Sequence, residues 1–66
     1  MTKRSKEKVK NFTQSAIRLA SEAITEMEGG DLGEAFASVD MAIADLIVAR
    51  KELDLALLAK EDKKED

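Results

Sequence analysis

The stretch Ala35–Ala49, AFASVDMAIADLIVA, decides how the rest of the chain must be read. Twelve of its fifteen residues are apolar, and only Ser38, Asp40 and Asp45 interrupt it. It is too long, and too rich in Ala and Met, for a strand. As a helix it is apolar around most of its circumference, so something must pack on more than one side of it.

Extended in both directions, the stretch sorts into three rows. One alternates steps of four and three through Leu32, Phe36, Val39, Ile43, Leu46, Arg50, Leu53 and Leu57, the heptad spacing of a packed helix. A second holds Ala37, Met41, Ala44, Val48, Lys51, Leu55 and Leu58. The third is only alanine, at Ala35, Ala42, Ala49 and Ala56, where small side chains permit a close helix approach. What is left for water is narrow: Glu34, Ser38, Asp45 and Glu52. Arg50 interrupts the main row. Asp54, one turn on, is its expected partner; the alternative is a contact between subunits that sets register, as buried polar seam residues do, and Asp40 raises the same question.

Upstream lies Glu28-Gly29-Gly30-Asp31-Leu32-Gly33-Glu34. Gly29 or Gly30 can end a helix in the left-handed conformation without a Cβ penalty. Asp31 can accept from the backbone of Glu34 while Glu34 reaches back, a capping box with Asp in place of Ser or Thr. So short a connection makes the two helices antiparallel neighbours. A calcium loop would need an alternating ligand series over twelve residues, which this turn lacks.

Before the turn, Val9, Phe12, Ala16, Ile17, Leu19, Ala20, Ala23, Ile24 and Met27 form one helical stripe roughly 160° wide. That is wider than a two-stranded seam, so this helix also meets more than one neighbour. Thr2 or Ser5 is its expected cap. The expected organisation is a single domain: helix 1 at about 4–28, a turn at 29–31, helix 2 at about 32–61 and a charged tail at 62–66.

Sixty-six residues are marginal for independent folding. Small scaffolds add disulfides, metals or oligomerisation, and a chain without Cys or His has no disulfide and no soft metal site. The expected fold is therefore all-α: an antiparallel helical hairpin that dimerises into a four-helix bundle. The expected interface for a second copy, or for another helical protein, is Ala35, Phe36, Val39, Ala42, Ile43, Leu46, Ala49 and Leu53.

No catalytic or metal-binding residues and no cofactor are expected. General acid–base or nucleophilic catalysis needs a group that titrates near neutrality or a nucleophile beside a base. There is no His, Cys or Tyr, and Ser5, Ser15, Ser21 and Ser38 have no evident base. No signal peptide or membrane-spanning run is evident, so the expected location is cytoplasmic.

The net charge of −3 conceals an asymmetry. Residues 1–10 carry Lys3, Arg4, Lys6, Lys8 and Lys10 against Glu7, so the rest of the chain is strongly acidic. In a hairpin, Glu61, Asp62, Glu65 and Asp66 would lie near that basic start, a weak surface complementarity. The alternative function for the segment is RNA or DNA binding by a helical face of Lys3, Lys6, Lys10, Gln14 and Arg18.

Two resemblances bear on this. In length, in architecture and in its opening Met1-Thr2-Lys3, the chain resembles the Rop family of plasmid copy-number regulators. That resemblance implies a four-helix dimer that binds paired RNA loops with its first helices. Ser21-Glu22-Ala23, Gly30-Asp31 and Ala35-Phe36-Ala37-Ser38, followed by Ala42, are similar to a family of short archaeal two-helix proteins of unknown function. The aromatics of that family are replaced here by Thr25, Glu26 and Met41, and its later Leu-Asp-Ala element is not kept after Leu46.

Overall fold

The computed structural model describes residues 1–65, with side chains described for 1–59. Two helices, α1 (Lys3–Glu28) and α2 (Leu32–Glu65), pack against each other as a hairpin. Thr2 caps α1, its hydroxyl oxygen accepting from the Ser5 amide at 3.1 Å. This satisfies one of the amides that a helix start leaves free.

Local bonding dictates the turn. The Asp31 amide donates to the Glu26 carbonyl at 2.9 Å and the Gly30 amide to the Met27 carbonyl at 3.0 Å. Together they close α1 in a Schellman motif. Gly30 has φ +86°, while Gly29 is right-handed at φ −79°. Asp31 then caps α2 through an Oδ1 that accepts from the Glu34 amide at 3.1 Å. In the expected capping box Glu34 would bond back to the Asp31 amide, but the end of α1 already uses that donor.

The two glycines should respond differently to a methyl group. A Cβ at Gly30 meets nothing within 4 Å, so its cost is conformational alone. Gly30→Ala is expected to lose about 1–2 kcal/mol in urea unfolding at fixed protein concentration. Gly29→Ala, whose Cβ would make ordinary contact with the Thr25 carbonyl at 3.5 Å, should lose nothing comparable. Equal losses would place the strain elsewhere.

The helix contact is made of small side chains. Ala16, Leu19 and Ala23 of α1 are buried, as are Ser38, Ala42 and Ala49 of α2. Ala35, Asp45, Glu52 and Ala56 are half-buried on the same side of α2. The alanine row therefore packs inside the hairpin. This reverses the expected solvent face of α2: Ser38 is buried, Asp45 and Glu52 are half-buried, and of that set only Glu34 is exposed.

The reason lies in size and partners. α2 is apolar on all sides, so periodicity does not choose which side faces α1. Alanine lets the backbones approach closely, and two of the three polar residues on that side, Ser38 and Glu52, find bonding partners on α1. The Ser38 hydroxyl donates to Glu26 Oε1 at 2.6 Å, and Lys8 Nζ lies 3.7 Å from Glu52 Oε2. Ser38→Ala should cost about 1 kcal/mol, because it strips a half-buried carboxylate of that donor. Thermal unfolding reads this directly, and an unchanged midpoint would count against a structural role for the bond. The charge complementarity expected of Glu61, Asp62, Glu65 and Asp66 lies outside the described side chains.

Candidate self-association surface

With the alanines inside, the large apolar residues are left outside. Met41, Leu55 and Leu58 are exposed on one flank of α2; on the other side stand Ile17, Ile24 and Met27 of α1 with Leu32, Phe36, Val39, Ile43, Leu46, Ile47, Leu53 and Leu57 of α2. Phe36 is 76% exposed, Leu32 69% and Ile17 64%. Such values are ordinary for scattered residues but not for a contiguous set.

These residues do form a contiguous set. One groove of about 520 Å³ runs between the helices near the turn, walled by Ile24 and Met27 on α1 and by Leu32, Phe36 and Val39 on α2. A second, of about 420 Å³, continues along α2 past Ile43, Leu46, Ile47 and Leu53, with Thr13 on its α1 side and Ala49 at its floor. At about 100° per residue, Ile17, Ala20, Ile24 and Met27 lie on one flank of α1, beside the half of its stripe that faces α2. The flank adjoins the α2 row, so both helices contribute to a single apolar face.

The residues expected at an interface divide accordingly. Phe36, Val39, Ile43, Leu46 and Leu53 are exposed on this face, and Ala35 is half-buried at its edge. Ala42 and Ala49 are consumed within the hairpin. Ile17, Ile24, Met27, Leu32, Ile47 and Leu57 are additions; the width of the α1 stripe was the signal for the first three.

Arg50 and Asp54 are both exposed and border a depression with Ile47 and Lys51. They do not form the expected pair: the ion pairs among the described residues are Lys8–Glu52 and Arg18–Glu22, the latter at 3.0 Å. Lys3, Lys6, Lys10, Gln14 and Arg18 are all exposed. Lys3, Gln14 and Arg18 lie on the side of α1 away from α2, where a shallow depression places Gln14 and Arg18 beside Glu22 and Glu26. Lys6 and Lys10 instead continue the flank of Ile24 and Ile17 toward the N-terminus.

Among the described residues, no three acidic side chains converge as a metal site would require, and no helix is long and apolar enough to cross a membrane. Fold and surface together define an all-α helical hairpin with an extensive apolar face shared by both helices and a smaller apolar row, Met41, Leu55 and Leu58, on the opposite flank of α2. No family model matches the chain, and neither does any curated protein or solved structure.

Proposed function

We infer that this protein is a non-enzymatic self-assembly module in which two hairpins join apolar faces to make a four-helix bundle. One observation carries the reading. A compact monomer of this mass exposes about 4,100 Å², whereas this 7.2 kDa hairpin exposes 5388 Å². The excess is larger than the roughly 800 Å² that each partner contributes to a standard stable interface. The shape agrees: the Cα radius of gyration is 15.7 Å, against about 11 Å for a compact chain of this length. A bundle of two hairpins buries the face with residues the chain already has.

Sedimentation equilibrium tests the inference. At tens of micromolar the mass should be about twice that of one chain, and the melting temperature should rise with concentration. A well-folded monomer would overturn it.

A second reading keeps its place because of where the basic residues stand. Lys3, Gln14 and Arg18 lie on the outer side of α1, which the assembly would leave open, with Lys6 and Lys10 at its edge, so RNA or DNA could bind there. Salt-sensitive binding that disappears when Lys3, Lys6, Lys10 and Arg18 are neutralised would support it. Binding that is absent, or indifferent to those changes, would remove it.

A further inference from the structure

The relative orientation of the two hairpins can be read from one charged residue and from the lengths of the apolar rows. Arg50 lies on the exposed face of α2, in the row of Leu32, Ile43 and Leu57, and has no ion-pair partner among the described residues. The Lys8–Glu52 and Glu26–Ser38 contacts set the relative heights of the helices, which places Arg50 about level with Lys10 and Asn11 of its own α1.

Two closed two-fold arrangements bring the apolar faces together. With the axis parallel to the helices, α2 of each copy lies on α1 of the other and heights are kept. Arg50 would then lie level with the second copy's Lys10, next to the most basic segment of the chain. The exposed large apolar residues of α1, Ile17 to Met27, span only about 15 Å. They would leave the far end of the α2 row, Leu53 and Leu57, uncovered.

With the axis perpendicular to the helices, α2 lies antiparallel on α2 of the second copy. The row from Leu32 to Leu57, about 38 Å long, covers itself from end to end when residue 45 sits at the axis. In that register Arg50 is level with the second copy's Asp40, an exposed acid that also lacks an ion-pair partner among the described residues. Asp40 stands beside the seam, about 80° around the helix from the position of Arg50 and within reach of its long side chain. On α2, the longer of the two rows, the register that covers the apolar side chains best is thus also the one that matches the charges. In the same arrangement α1 meets α1, with Ile24 and Met27 about level with the second copy's basic N-terminal segment.

We propose that two copies pair α2 antiparallel on α2, in register about residue 45, with Arg50 of each chain meeting Asp40 of the other. The proposal rests on the self-association reading above. Its test uses the absence of native cysteine. Ala37, Ala44, Lys51 and Leu58 are exposed and lie seven residues apart in one row of α2. Each is replaced singly by Cys, spin-labelled, and the same-site distance across the dimer measured by double electron–electron resonance.

The axial offset between equivalent labels grows by about 3 Å for every residue away from 45. Ala44→Cys should therefore give the shortest distance, followed by Lys51→Cys, Ala37→Cys and then Leu58→Cys, whose offset is about 39 Å. Similar distances at all four sites would overturn the antiparallel arrangement while leaving self-association intact. Loss of dipolar coupling together with a monomeric mass, found with unlabelled protein as well, would overturn self-association itself. For the charge pair, Arg50→Glu and Asp40→Arg should each weaken the dimer about tenfold, and the double exchange should restore it. A double variant no tighter than the singles would overturn the pairing.

Discussion

Ile43→Asp is expected to convert the proposed dimer into a largely unfolded monomer at tens of micromolar. Ile43 is 51% exposed on the hairpin, near the middle of the α2 row. Full burial of such a side chain is worth about 1.5–3 kcal/mol relative to exposure. A two-fold interface uses every residue twice, so the loss is doubled, and two carboxylates must also be desolvated or kept wet at the interface. About half of the side chain is already covered in the hairpin, so the doubled burial term is about 1.5–3 kcal/mol and weakens the dimer roughly ten- to a hundredfold before the carboxylates are counted. The freed hairpin, whose only buried large side chain among the described residues is Leu19, should not hold its fold well. Ala44→Asp is the control: it lies one residue along, about 100° around the helix, and exposed outside the row. Sedimentation and circular dichroism over a concentration series separate the two. An Ile43→Asp protein with unchanged mass and melting temperature would remove this face from the assembly.

Ala42→Leu should be the most damaging change inside the hairpin. Ala42 is 7% exposed and clusters with Ala16 and Leu19. Leucine there forces the helices apart, and overpacking of this kind costs about 1–3 kcal/mol. The damage should spread further, because separation stretches the 2.6 Å Ser38–Glu26 bond and the 3.7 Å Lys8–Glu52 pair that flank the site. Ala44→Leu adds the same side chain at an exposed position and should be nearly neutral. The contrast, read from thermal unfolding at matched concentration, separates packing from helix propensity, which is the same for both substitutions. Equal effects would mean that the alanine row does not set the helix separation.

Much of the hairpin was legible locally. The Gly29-Gly30-Asp31 turn, the Thr2 cap and the amphipathic stripe of α1 depend on neighbours within a few residues, and each appears in the structure in close to its expected form. The orientation of α2 was not legible in the same way. Its heptad row has the spacing of a packed seam, which suggested that Ser38, Asp45 and Glu52 faced water. In the hairpin those three turn toward α1, and Phe36, Ile43 and Leu46 turn away. The Arg50–Asp54 pair also failed to form, although its spacing permits it.

The physical reason is that periodicity identifies a face only when the opposite face is polar. The sequence by itself determined two helices, their caps and turn, and an excess of apolar side chains beyond what one hairpin can bury. Only the tertiary structure decided how that excess is divided. The alanine row of Ala35–Ala49 goes inward because small side chains allow close backbone approach and because Glu26 and Lys8 stand opposite Ser38 and Glu52. The large side chains of the same stretch are therefore left outside, on the face where a second copy is proposed to bind.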